Sequence, residues 1–231
     1  PIHRGYAMRT LYVNVGDKVA KEKPVSEDTK KRFTGGKGFG LRLLWDATKP
    51  STRWNDPENE IVIGMGPIAG NTNYPGSGKS LVVSLSPMTD VPIDSNVGGY
   101  FGPYLKFGGW DALELQGKSE RETIVFIDSN EGLVQFYEEP AGLDQDTHLL
   151  AEELTHVFAK DAKDLQAVSV VSAGRGADHA PMSVLNFSLY DKRRQGVRVK
   201  QAGRGGIGHV LRDKKIRAVV CRFSGVKQNL N

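Results

Sequence analysis

The sequence predicts an α+β fold of mixed β-sheets with few helices, arranged as two pseudo-symmetric subdomains. Many short apolar runs bounded by glycine, proline or asparagine read as strands, whereas helical periodicity is confined to a few scattered segments that do not alternate regularly with them. A faint internal echo adds the second half of the reading. GKGFGLRLL from Gly36 and GRGGIGHVL from Gly203 share a glycine–basic–glycine opening and a leucine-rich exit. They suggest a duplication with halves at about 1–115 and 116–231 within a single 1–231 domain.

MRTLYVNV, from Met8 to Val15, alternates as an early strand, and Gly16–Lys18 turn it into a hairpin with VAKEKPV. SEDTKKRF opens with a capping serine and two acids and then turns basic, which suits a short helix and its macrodipole. TGGKGFG interrupts it, and helical spacing resumes at Leu41. EIVIGMGPIAG and KSLVVSLSP read as strands, and YLKFGGWDALELQGK as a short helix, a turn and a strand. ETIVFIDSNEGLVQFYEE is a hairpin bent at SNEG. DTHLLAEELTHVFAKD predicts a helix with Leu149, Leu150, Leu154 and Val157 on one face, followed by late strands in LQAVSVVSAG and KIRAVVCRF.

A chain of 231 residues with 39% hydrophobic and 25% charged residues can bury a substantial core, which excludes a disordered polypeptide. No apolar run reaches membrane-spanning length, and PIHRGYAMRTLYV lacks the pattern of a secretory signal, so a cytoplasmic location is expected. The single cysteine, Cys221 in AVVCRF, reads as a small buried hydrophobe and excludes an internal disulfide or a four-thiolate metal site built by this chain alone. The net charge of +4 is compatible with phosphorylated partners without selecting one.

Two glycine-crowded stretches carry the functional signal: SNVGGYFG at 95–102 and QAGRGGIG at 201–208. Glycine lets a ligand approach the main chain closely, so amide groups at both stretches, with Lys106, Lys200 and Arg204, could cradle phosphate. A large phosphorylated ligand follows.

The order GGKGFGLRLLWD, PENEIVIGMGPIAGN, PGSGK, SLSPMTD, SNVGGYFGPYLKFGGWDALELQGK, SAGRGA and AGRGGIGHVLRDKKIRAVV resembles the N-terminal domain of the aldehyde:ferredoxin oxidoreductase family over nearly the whole chain. That resemblance implies a base for a tungsten, or in some members molybdenum, bis-pterin cofactor. It implies that Asn96 contributes to a Mg2+ site bridging the pterin phosphates, with the backbone carbonyl of Gln201 facing the same ion. Gly98, Gly99, Gly203 and Arg204 would approach the phosphates. Lys79 and Lys200 stand where the family commonly has arginine, keeping the charge but losing the planar fork.

The family's iron–sulfur cysteines, Asp-x-x-Gly-Leu pterin loops and acid–base residues belong to helical domains with no counterpart here. The resemblance therefore implies a second subunit carrying them and the 4Fe–4S cluster, a ferredoxin-like electron-transfer partner, and an aldehyde or carboxylic acid substrate. No catalytic residue is assigned to this chain. A degenerate relative without partner is the competing account, and a basic single-stranded nucleic-acid module, suggested by GGYFGPYLKFGGWD, is the rival class. The glycines of GKGFGLRLL follow a helix-like segment and not a strand, which disfavours a dinucleotide-binding turn.

Other residues have plainer readings. His209 reads as a satisfied surface or interface histidine, and His148 and His156 as exposed. Asp94 and Asp111 read as Asx-turn residues, Trp110 and Tyr100 as aromatics packed over glycine in preference to lining a cofactor pocket, and Arg175 equally as a contact to pterin or partner and as a pair for Asp178.

Overall fold

The structure, a computed structural model, describes residues 4–225. The first half runs β1 (Arg9–Asn14), β2 (Val19–Pro24), α1 (Glu27–Phe33), α2 (Lys37–Ala47), β3 (Ile61–Gly64), β4 (Ser80–Leu85), β5 (Pro92–Val97), α3 (Phe101–Gly108) and β6 (Ala112–Gln116). The second runs β7 (Thr123–Asp128), β8 (Leu133–Glu138), α4 (Thr147–Phe158), β9 (Val168–Ser172), β10 (Leu185–Asp191), β11 (Gly196–Ala202), α5 (Ile207–Asp213) and β12 (Ile216–Arg222).

Each half forms one six-stranded mixed sheet, ordered β2-β1-β6-β3-β4-β5 and β8-β7-β12-β9-β10-β11. The senses repeat as well. β1 pairs antiparallel with β2 and parallel with β6, as β7 does with β8 and β12, and the remaining neighbours are antiparallel in both sheets. The α+β class and the two similar subdomains are therefore what the chain adopts.

The echo that suggested them, however, joins unlike places. Gly36 precedes α2, between β2 and β3, whereas Gly203 precedes α5, between β11 and β12. The topological counterpart of the Gly203 segment is the β5–α3 connection, which is the other glycine-crowded stretch.

One continuous apolar core lies between the sheets and includes Leu113 and Ile63 of the first, Val171 and Val219 of the second, and Phe101, Leu105 and Leu211 of the intervening α3 and α5. Each of these helices packs across onto the other half's sheet, α3 on β9, β10 and β12, and α5 on β3. The outer faces are covered by α2 and α4, each over a smaller core. Burial of a large aliphatic side chain stabilises by about 1.5–3 kcal/mol, so the shared central core holds the halves as one body.

Local chemistry explains the helix ends. Ser26 caps α1 by accepting from Thr29 N at 3.0 Å. Asp146 caps α4 by accepting from His148 N and Leu149 N. Gly109, with φ of 97°, ends α3 in a left-handed turn.

Three expectations are corrected here. α2 begins at Lys37 and not Leu41, with Gly40 packed so closely on Val83 that a Cβ would lie 2.6 Å from its side chain. On α4, Leu150 and Leu154 are buried with Ala151 and Thr155, while Leu149 and Val157 face solvent, because the apolar stripe is narrower than the leucines imply. The third is an omission: β5, β10 and β11 are strands that the sequence reading did not assign, β5 and β11 running into the glycine-crowded stretches.

Candidate functional site

The terminal strands β5 and β11, one from each sheet, lie against each other and form a seam between the halves. Their registers match. Asn96 lies opposite Leu81 and Val97 opposite Ser80 on β4, while Gln201 lies opposite Asn186 and Ala202 opposite Leu185 on β10. Since β4 and β10 begin at Ser80 and Leu185, Asn96-Val97-Gly98 and Gln201-Ala202-Gly203 are equivalent triplets. Strand alternation buries Val97 and Ala202 and leaves both carboxamide residues exposed.

The two glycine turns are in direct contact with the facing edge. Arg204 N donates to Ser95 Oγ at 3.3 Å, and its guanidinium donates to the Asp94 carbonyl at 2.6 Å and carboxylate at 3.0 Å. A Cβ on Gly205 would meet Ile93 at 2.5 Å, and one on Gly78 would meet the Gly99 carbonyl at 2.7 Å, which fixes the loop before Lys79 beside Gly98–Gly99.

Gly98 and Gly203 differ from these. Neither has a positive φ, and a Cβ on either would have no neighbour within 4 Å among the described residues. Backbone geometry and internal packing therefore give no reason for glycine at either of these two equivalent positions.

Lys79 and Lys200 are exposed and, among the described residues, form no ion pair. Lys37 was not singled out by sequence. It bonds Asp94 at 2.7 Å, and Arg204 completes a three-residue clamp across the seam. The Lys37 hydrogen bond, followed by that of Arg204, holds the Asp94 carboxyl below the usual carboxylate range. Asp94 is thus a pairing residue and closes no Asx turn. Within this chain Arg204 braces the seam, its guanidinium engaged by Asp94 and its amide by Ser95.

Lys106 does not join the cradle. It is buried against Asp111 at 2.5 Å, and Asp111 also accepts from Ala7 N and Met8 N, so both residues anchor the entry to β1. Trp110 is buried and donates to Glu22, far from a ligand-lining role, whereas Tyr100 stays half exposed. His209 Nδ1 donates to the Ala177 carbonyl and its ring lies 4.9 Å from Trp54. Asp178 pairs with Arg212 and not Arg175. His148 and His156 are exposed, and Cys221 is fully buried, its thiol pushed up to about 12 by burial. Among the described residues no three His, Cys, Asp or Glu side chains cluster as a metal site, and no helix is long and apolar enough to cross a membrane.

Two topologically equivalent sheets that meet at glycine-bearing edges define an α+β fold of two similar subdomains. The chain belongs to the aldehyde ferredoxin oxidoreductase family, through its N-terminal domain, whose profile matches residues 10–223. It is 31% identical over 220 residues to a tungsten-containing aldehyde ferredoxin oxidoreductase of Pyrococcus horikoshii, covering 94% of this chain and 33% of that protein. It is 28% identical over 230 residues to the WOR-like subunit of an aliphatic sulfonate oxidoreductase of Pyrococcus furiosus, covering 95% of this chain and 35% of the relative. The active site complex BamBC of benzoyl coenzyme A reductase, solved with 1,5-dienoyl-CoA, has the same fold, with a TM-score of 0.80, 24% identity, and coverage of 94% of this chain and 31% of that one. The chain thus spans about a third of the length of the relatives it matches.

Proposed function

We infer that this chain is the cofactor base of a tungsten, or molybdenum, bis-pterin oxidoreductase, and that a second polypeptide completes the active site. The observation that carries this reading is the pair Gly98 and Gly203: equivalent positions on two facing edges where nothing among the described residues requires the absence of a side chain. Phosphate groups suit such positions, because main-chain amides approach them closely and Lys79 and Lys200 add positive charge. Asn96 offers an amide oxygen, and Gln201 a backbone carbonyl, to a Mg2+ between the phosphates; hard cations take such oxygens. Gly99, with φ of 114°, holds a backbone conformation that L side chains rarely adopt, and Arg204, tied to Asp94, braces the two turns.

Such a cofactor, when bound, supplies two-electron redox chemistry, here assigned to aldehyde and carboxylic acid interconversion, with electrons leaving singly through a 4Fe–4S cluster on the partner chain. This chain's own contribution is placement and charge neutralisation. The acid–base groups, the pterin-holding loops and the contact with a ferredoxin-like acceptor are assigned to the partner, and the assembly to the cytoplasm.

The test is purification of the native assembly followed by tungsten, molybdenum and pterin analysis. The expected result is metal and pterin together with a larger, cysteine-bearing polypeptide. Isolation of this chain with neither would overturn the reading in favour of a degenerate relative. The nucleic-acid alternative is disfavoured because Phe101 and Trp110, two of the aromatics that suggested it, are buried in the core.

A further inference from the structure

Beside the seam a cleft of about 940 Å3 opens between α3, the Gly70–Gly78 loop and the β10–β11 turn. Its volume lies within the range of about 300–1,000 Å3 usual for small-molecule sites. One wall is lined by four neighbouring aromatic rings, of which Tyr104 is nearly buried. The Tyr100 and Tyr104 rings lie 5.9 Å apart, Tyr104 and Phe223 6.5 Å, and Phe223 and Phe107 5.3 Å. The Tyr104 hydroxyl is spent on the Gln166 carbonyl at 2.5 Å, which fixes its ring.

The rest of the rim carries four cations and three acids among neutral residues. Lys160 and Lys163 come from the turn before β9, and Lys192 and Arg193 from the β10–β11 turn. Among the described residues none of the four forms an ion pair. The three acids on the same rim are occupied locally. Asp161 accepts from the Lys163 and Asp164 amides, Asp164 from the Lys160 amide and the Ser224 hydroxyl, and Asp191 pairs with Arg194 and Arg198. Neutral donors leave Asp161 and Asp164 charged, so the excess positive charge of the rim is carried by Lys192 and Arg193, whose neighbour Asp191 is paired with Arg194 and Arg198, and a flat ring on the aromatic wall would place a charged tail beside them.

We propose that this cleft binds a nucleotide, a flat heteroaromatic ring carrying a di- or triphosphate, with the ring against Tyr100, Tyr104, Phe107 and Phe223 and the phosphates between Lys160, Lys163, Lys192 and Arg193. The ring supplies contact area and the polyphosphate selects charge, so neither fragment suffices. The site does not rest on the cofactor reading, because none of its cations is a residue assigned to the pterin phosphates.

The test is calorimetric titration of the full chain, in the assembly in which it is isolated, with ADP, adenosine and pyrophosphate. ADP is expected to bind at a saturable site, with adenosine and pyrophosphate each about tenfold or more weaker, a gap of about 1.4 kcal/mol. The double variant Lys192→Glu/Arg193→Glu changes two exposed residues of a turn and is expected to weaken ADP about tenfold or more while leaving thermal unfolding unchanged. Asn96→Ala is expected to leave ADP binding intact even where it lowers metal content, which separates failure here from failure of the cofactor base. Absence of ADP binding, equal binding of pyrophosphate and ADP, or wild-type ADP affinity in the double variant would each overturn the proposal.

Discussion

At the residue scale, glycines in the same short turns are held there by different causes, and substitution separates them. Gly206 has φ of 70°, and a Cβ there would lie 1.9 Å from the Pro181 carbonyl oxygen, so Gly206→Ala is expected to destabilise by about 2 kcal/mol or more. Gly98→Val and Gly203→Val, where the chain itself leaves the space open, are expected to keep the thermal midpoint near wild type and to strip pterin and metal from the purified assembly. Wild-type cofactor content in both valine variants would remove the main support for the base. Asp94 is a milder case. Asp94→Ala is expected to cost about 1 kcal/mol at neutral pH, as partly exposed ion pairs do. A carboxylate with a depressed pKa stabilises above its unfolded range and loses that effect as pH falls through the folded one, so wild type and variant should converge in acid-induced unfolding.

At the element scale, β1 depends on one buried pair. Asp111 collects the amides of Ala7 and Met8 and the Lys106 ammonium, so Asp111→Ala leaves a cation without its carboxylate in the core. The expected loss is about 3–5 kcal/mol in denaturant unfolding, with Lys106→Met in the same background recovering part of it. A cost under about 1 kcal/mol would show that the pair is not structural.

Elements buried on both faces were the legible ones. β3, β7, β9 and β12 read as strands because they are near-continuous aliphatic runs, and SNEG announced the bend between β7 and β8. β5 and β11 were hidden because each ends its sheet and serves the seam, so PIDSNV and GVRVKQA carry polar residues where an inner strand would carry valine. The two glycine stretches were legible as a candidate site, but their equivalence was not. It is carried by register against β4 and β10 and not by residue identity. Lys37 was missed as a seam residue because its partner is distant in sequence.

At the scale of the whole molecule, the first sheet encloses an acid it does not fully satisfy. Glu60 is buried, one carboxylate oxygen has no partner among the described residues, and burial, with the nearby Glu114 opposed by Lys23 and Lys214, raises its pKa from 4.5 to about 8. The folded chain then holds a proton that the unfolded chain releases above 4.5, so this group makes stability fall as pH rises toward 8. Lys214, lowered to about 8 by burial, acts with the opposite sign and only above that pH. Denaturant unfolding at pH 5 and pH 8 is expected to show the decline in wild type and a flatter profile in Glu60→Gln. Identical slopes would mean that water reaches the carboxyl.

The pairing of the first and last strands within each half also bears on how the chain is made. Residues 9–14 leave the ribosome long before Ala112–Gln116, the segment that fills the gap between β1 and β3. At roughly 5–20 residues per second, the early hairpin waits on the order of 5–20 s with one flank unoccupied. The nascent polypeptide therefore carries a sticky β-edge twice in succession, which makes it a natural client for chaperones that shield emerging chains.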